Sequence, residues 1–399
     1  MTDACGGHVL FLNWRDTEHP EGGGSELYLD RVATELVRRG NRVTLLCQAH
    51  GTAPAEESTP AGVRIVRRGG RHTVYLMAAL VYLIGLLGIG PLSRRRLGRP
   101  DLIIDVGNGI PFLSRLWARR PVIVLIHHVH REQWPVVFGP RVARIGWWIE
   151  SVLAVRVYRR CQYVTVSEST REELIGLGVD RQRIAVVHNG TPEVTGEPVP
   201  RTAHPSLMVL GRLVPHKRVE FALRATALLA VEMPTIELVV AGQGWWDEPL
   251  RQLTDDLELG DRVRFTGFVT EERKHELLCR SWLLLVPSLK EGWGLTIVEA
   301  GARGTPSVAF RSAGGVADAM VDGETGILVE NEYDFFRRVR SLLLDTGRRT
   351  GMGGAAAVHA RRFTWEKAGA AFHDVVTGQL AGARPAPLPQ PIPRQPVRE

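Results

Sequence analysis

The stretch Pro287-Ser288-Leu289-Lys290-Glu291-Gly292-Trp293-Gly294-Leu295-Thr296-Ile297-Val298-Glu299-Ala300 follows an apolar run, Trp282–Val286, and opens a helical pattern. Glu291 falls in the glycine-flanked loop, and Glu299, eight positions on, falls on the helix. The start of a helix aims free N–H groups and a positive dipole end at whatever docks there, which suits a phosphate. A carboxylate on either side can accept hydrogen bonds from hydroxyls. A phosphate flanked by hydroxyls describes a sugar nucleotide.

Strand–loop–helix units of this kind recur along the chain. Strands read at His8–Asn13, Arg42–Cys47, Val63–Arg67, Leu102–Val106, Val122–His127, Tyr163–Ser167 and Ile184–Val187, with helical patterns between most of them. After a break, the alternation restarts at Ser206–Arg212, Ile236–Gly242, Val263–Gly267, Trp282–Val286, Ser307–Phe310 and Gly326–Val329. Alternating strands and helices imply parallel sheets, and 399 residues exceed what one core supports. The expected organisation is a first domain over residues 1–190, a Pro- and Thr-rich linker over 191–204 and a second domain over 205–363. A closing helix over 364–380 and a Pro-rich, disordered tail over 381–399 complete it.

With 44% hydrophobic and 23% charged residues the composition is that of an ordinary globular protein. The net charge is +7, almost all of it arginine, since only Lys217, Lys274, Lys290 and Lys367 are lysine. The arginines read as scattered, with no aromatic–basic RNA motif, so no nucleic-acid role is expected. Cys5, Cys47, Cys161 and Cys279 are far apart and lack metal spacing. They read as reduced thiols of a cytoplasmic protein, and the N-terminus carries no secretory signal pattern.

Five further places carry candidate chemistry. The first strand is followed by Glu21-Gly22-Gly23-Gly24-Ser25-Glu26 and a helix, so the backbone at Gly23 and Gly24 can approach a ligand closely. This is not the GxGxxG fingerprint of dinucleotide enzymes. The fifth strand ends in His127-His128, with His130 beyond. An imidazole there can donate to a sugar hydroxyl or help neutralise a phosphate, and either His127 or His128 could face the donor. No carboxylate or cysteine partner makes His127 and His130 a metal site. Gly211-Arg212-Leu213-Val214-Pro215-His216-Lys217 places two cations five residues apart across a loop, able to grip a diphosphate. Gly242 in Gly242-Gln243-Gly244 and Phe268-Val269 after Gly267 close two other strands.

Taken together, Pro287-Ser288, the two glutamates eight apart and Gly304-Thr305-Pro306 resemble the signature of the retaining glycosyltransferases of family 4. The resemblance spans roughly Gly7 to Leu380 and is most specific from Pro205 to Phe310. It implies an α/β fold of the GT-B type, two Rossmann-like domains with parallel sheets facing an interdomain cleft. It further implies transfer of a sugar from a nucleotide-sugar donor to an acceptor hydroxyl with retention at the anomeric carbon and no metal or other cofactor. Under it, Arg212 and Lys217 hold the leaving diphosphate with the N–H groups of Gly294 and Leu295. Glu291 binds donor-sugar hydroxyls, Glu299 the ribose, and His127 the sugar. Gly23, Gly24, Gly211, Gly242, Phe268, Val269 and Trp293 line the donor. The acceptor is a carbohydrate, a lipid-linked glycan or a small molecule. The competing readings are a sugar-nucleotide 2-epimerase on the same fold and a non-catalytic partner subunit.

Thr73–Leu92 contains no charge and is followed by Arg94-Arg95-Arg96 and Arg99. Spanning a bilayer would separate the flanking strands of one sheet, so two readings survive. The segment is a buried crossover helix, or it dips into the interface of an anionic membrane, at the inner face of the cell membrane. Arg141, Arg144, Trp147, Trp148, Arg156, Arg159 and Arg160 form a second basic and aromatic stretch.

Overall fold

In a computed structural model, residues 6–192 and 199–383 are described. Cys5, the middle of the expected linker and residues 384–399 of the expected disordered tail lie outside them. The chain divides into two compact units. The first takes in the residues up to Trp134, Pro140–His188 and those from Trp365 onward; the second is Asn189–Thr364 with Pro135–Gly139.

The first unit holds β1 (His8–Leu12), β2 (Arg42–Cys47), β3 (Glu56–Ser58), β4 (Arg64–Arg67), β5 (Leu102–Gly107), β6 (Val122–Ile126), β7 (Gln162–Thr165) and β8 (Ile184–Val186). Their order is β3-β4-β2-β1-β5-β6-β7-β8. All pairs are parallel except β3 with β4, which is antiparallel. Helices cover both faces of such a sheet, so central strands are apolar runs without alternation; β1 and β5 are buried throughout. β3, Glu-Glu-Ser at the sheet edge, has no apolar pattern and was not foreseen.

The second unit holds β9 (Ser206–Leu210), β10 (Glu237–Ala241), β11 (Val263–Gly267), β12 (Leu283–Val286), β13 (Ser307–Phe310) and β14 (Gly326–Val329). It is a wholly parallel sheet in the order β11-β10-β9-β12-β13-β14. The strand order reverses between β1 and β5 in the first unit and between β9 and β12 in the second. Ligands of doubly wound sheets bind beyond the carboxyl ends of the strands at such reversals.

The final helix, Trp365–Leu380, packs on the first unit. Phe372 stacks on Phe11 at 6.1 Å and meets Tyr28 edge-on at 6.2 Å. A helix at Thr346–Ala360 was also unforeseen, because four glycines weaken its pattern. One of them serves packing: a Cβ on Gly353 would lie 2.1 Å from the carbonyl oxygen of Gly304, just past the helix Leu295–Ala302.

The apolar segment forms a helix only over Val74–Leu86, ended by a turn in which Gly88 and Gly90 take positive φ. Among the described residues no helix is long and apolar enough to cross a membrane. One face is that of a buried crossover helix and the other is open to solvent. Val74, Ala78, Val81 and Tyr82 enter the core, whereas Leu76, Leu80, Leu83 and Leu87 are exposed.

Candidate functional site

At the reversal of the second sheet, β9 runs into Gly211-Arg212 and β12 into Pro287-Ser288. These strand ends and the loops after them line a hollow with about 260 Å³ of empty space, open to solvent, bordered by Gly211, Arg212, Lys217, Ser288 and Glu291. Residues 74 positions apart meet there: Lys217 Nζ lies 2.5 Å from Glu291 Oε1, which also accepts from Ser288 Oγ at 2.6 Å. Burial by itself would raise the Glu291 pKa, but the charge and hydrogen bond of Lys217, the Ser288 hydroxyl and nearby His216 hold it below the usual carboxylate value. Arg212 is exposed and makes no ion pair among the described residues.

The loops themselves are pinned. Glu291 N–H donates to Ala313 O at 2.8 Å, and Gly315 N–H to Glu291 O at 3.1 Å. Leu289 N–H donates to His216 O at 2.8 Å, tying the two loops together. Arg218, in the left-handed region at φ 49°, donates to Pro287 O at 2.8 Å and Ser288 O at 3.1 Å and lies over the rings of Phe221 and Phe310. Sequence reasoning passed over both Arg218 and Ser288. The Pro-Ser preceding the glutamates was the one available signal for Ser288.

The Gly-x-Gly turn has a structural cause. A Cβ on Gly242, at φ 137°, would fall 1.9 Å from Gly211 O, and one on Gly244 would fall 2.1 Å from Leu213 O. The β9 and β10 loops touch through backbone here, with Gly211 N–H donating to Ala241 O at 3.0 Å and Leu213 N–H to Gln243 O at 3.0 Å. Phe268 stands exposed after β11, with Val269 half-buried beside it.

The rest of the glutamate segment turns inward. Gly294 takes φ 97° and caps the helix Leu295–Ala302. Trp293 is buried, edge-on to Phe363 at 5.0 Å. Glu299 is buried as well, with Oε1 2.7 Å from Lys274 Nζ, which is itself 2.8 Å from Glu271. Burial pushes the Glu299 pKa up and Lys274 offsets it only in part; burial also works against the Lys274 charge, yet its two carboxylate partners keep its pKa above the ordinary value.

In the first unit, the reversal brings Asn13 and Asn108 together, Asn108 Nδ2 donating to Asn13 Oδ1 at 2.9 Å. Gly23 precedes the helix Gly24–Arg38, and its N–H donates to Glu26 Oε2 at 2.8 Å, closing the helix start. His127 follows β6. It is buried edge-on to Tyr28 at 5.4 Å, and its Nε2 finds no partner among the described residues. Burial, with His130 adding, lowers its pKa to about 4. The ring is therefore neutral near pH 7 in the free protein and can exchange hydrogen bonds. His128 is half-exposed, 3.2 Å from Gln133 Oε1. His130 does have a carboxylate partner that sequence reasoning missed: Glu150 lies 2.9 Å from its Nδ1 and accepts from Trp134 Nε1 at 2.8 Å.

Solved structures share the architecture. The sucrose-phosphate synthase of Thermosynechococcus elongatus superposes with a TM-score of 0.76 at 17% identity, over 94% of this chain and all of that one. Anabaena HepE in complex with UDP and glucose gives 0.71 at 19%, over 93% of this chain and all of that one. The fold is thus that of the GT-B glycosyltransferases. Among sequence relatives, the GDP-mannose-dependent alpha-(1-6)-phosphatidylinositol monomannoside mannosyltransferase of Mycolicibacterium smegmatis is 27% identical over 378 residues, 90% of this chain and 96% of that one. The D-inositol 3-phosphate glycosyltransferase of Streptomyces bingchenggensis is 33% identical over 241 residues, 55% of this chain, and the match spans about half the length of that relative, 53%. "Glycosyltransferase Family 4" matches residues 22–193 and "Glycosyl transferases group 1" residues 197–358, and the chain belongs to this family of glycosyltransferases.

Proposed function

We propose that the chain moves a sugar from a nucleotide-sugar donor to an acceptor hydroxyl with retention of anomeric configuration. The observation that carries this reading is the convergence of Arg212, Lys217, Ser288 and Glu291 on one hollow at the strand reversal of the second unit. In the transfer, the bond from the anomeric carbon to the β-phosphate oxygen breaks and a bond to the acceptor oxygen forms, while the acceptor proton passes to the departing phosphate. Arg212 and Lys217 would stabilise the charge that grows there, joined by the N–H groups of Gly294 and Leu295. With cations in that role, no metal requirement is expected. Glu291 would accept from donor hydroxyls. Its commitment to Lys217 and Ser288 makes it a poor nucleophile, in keeping with attack by the acceptor on the face the diphosphate leaves. Glu299 would reach the ribose with the oxygen that Lys274 does not hold. Gly211, Gly242, Phe268 and Val269 would shape the nucleotide side of the hollow, and Trp293, buried against Phe363, would brace the loop that carries Glu291. From the first unit, the unpartnered Nε2 of neutral His127 would bond a sugar hydroxyl, and the backbone at Gly23 and Gly24 would approach the donor.

The acceptor is a carbohydrate, lipid-linked or small molecule, and the enzyme would work in the cytoplasm, at the inner face of the membrane. A thermal-shift screen against UDP-, GDP- and ADP-sugars identifies the donor. With it, release of nucleoside diphosphate should depend on acceptor, and the product should keep the anomeric configuration by NMR. The same release without any acceptor, together with epimerised sugar, would establish the epimerase instead. Glu291→Ala should abolish transfer with the fold intact.

A further inference from the structure

We propose that one face of the first unit is a docking surface for an anionic phospholipid bilayer, on which the helix Val74–Leu86 lies flat. The proposal deepens the reading of a membrane-near acceptor and rests on it only for the reason such docking would serve.

The helix is apolar all round. Its inner face is spent on the core, and its outer face is a stripe, Leu76, Leu80, Leu83 and Leu87, spaced four, three and four residues apart. Leu76 is 72% exposed and Leu87 79%. The glycine turn that ends the helix carries Ile89 outward, and the chain then presents Arg94, Arg95 and Arg96 to solvent. A second helix, Pro140–Trp148, repeats the pattern. Ala143 and Gly146 face inward, Val142, Ile145 and Trp148 outward, and exposed Arg141 and Arg144 flank them. Both helices cover the same core, where Tyr82 meets Trp117 at 5.2 Å and Trp147 packs at the edge.

Charge names the occupant. The arginines, read as scattered, are concentrated: residues 70–167 hold fourteen of them, no lysine and four carboxylates. That is a net +10 against +7 for the whole chain, so the remainder is net acidic. Three of the four carboxylates are bonded inward, Asp101 to His8 N, Asp105 to Ser114 N and Tyr158, and Glu150 to His130 and Trp134. Arg96 is paired with Glu56 at 3.4 Å, whereas Arg94, Arg95, Arg141 and Arg144 make no ion pair among the described residues; a leucine stripe rimmed by such arginines matches a layer of acyl chains under anionic headgroups. Thirteen residues lie along such a layer and are too few to cross it.

The test is co-sedimentation of the full chain with vesicles of phosphatidylcholine alone or mixed with phosphatidylglycerol. The protein should pellet with the mixed vesicles only, and less as salt is raised. Arg94→Glu with Arg95→Glu should weaken partitioning roughly thirtyfold, and Leu76→Glu with Leu87→Glu at least about tenfold, both with unchanged circular dichroism. Glu291→Ala should sediment like the wild type, since binding needs no donor; vesicle binding and sugar transfer therefore fail or succeed separately. Wild-type protein that stays in the supernatant, or that pellets equally with both vesicles, overturns the proposal. So does a dimer in light scattering that Leu76→Glu with Leu87→Glu dissolves, because the stripe would then belong to a second copy.

Discussion

Lys217→Met separates the structural from the chemical role of the Lys217–Glu291 pair. Their side chains are 23% and 15% exposed, so removing one partner strands a charge that is largely out of water. Breaking a fully buried pair this way costs 3–5 kcal/mol; the residual exposure here reduces the expected loss to about 2 kcal/mol. Without Lys217, burial goes mostly unopposed and the Glu291 pKa should move from below its ordinary value to above it. The pH dependence then changes sign. In the wild type the depressed carboxylate contributes stability that is complete above about pH 4.5 and is lost as pH falls below it. In Lys217→Met the carboxylate costs stability above that pH and stops doing so once protonated. The gap between the two proteins should therefore close toward pH 3, read by urea unfolding. Lys217→Met with Glu291→Gln, which removes both charges, should recover most of the stability. Transfer should not recover: the single variant should lose roughly 100- to 1000-fold in kcat, the size of a lost oxyanion contact, and the double variant, without the Glu291 carboxylate, at least as much. Turnover within about threefold of wild type in the single variant, or an unchanged pH profile of stability, would refute this account.

A His127 pKa near 4 means that its ring shift should not move above pH 5 in NMR titration. The unfolded chain binds that proton first, so wild type should lose up to roughly 3 kcal/mol relative to His127→Gln as pH falls from 6.5 to 4. Gly353→Ala should destabilise by about 2 kcal/mol through its contact with Gly304 O, while Gly354→Ala, with open space around it, should stabilise by up to about 1 kcal/mol; paired melting curves check both. Gly242→Ala should lower the melting temperature and weaken nucleotide binding together, because its Cβ would push the Gly211 loop out of the hollow.

The parallel strands were legible because burial on both faces makes them continuous apolar runs, as at Val122–Ile126. Edge strand β3 was not, since it is only partly buried, and Thr346–Ala360 hid behind four glycines, of which Gly353 alone is pressed against a distant loop. Motif reasoning found Arg212, Lys217 and Glu291, but spacing along a chain does not report a salt bridge between residues 74 apart. Nor could it report that Trp293 and Glu299 turn inward, or that burial leaves His127 uncharged. The outward leucine stripe was hidden for the opposite reason: a helix apolar all round shows no periodicity to read.

The return of Trp365–Leu380 to the first unit sets an order on biosynthesis. The ribosome delivers the aromatic plug Phe372, which seats against Phe11 and Tyr28, only after every strand of both sheets has emerged. The second unit, by contrast, is nearly continuous in sequence and can mature as soon as Thr364 clears the tunnel. The half translated first is thus the half finished last, and the nascent polypeptide must carry an uncovered apolar seam until its final helix arrives.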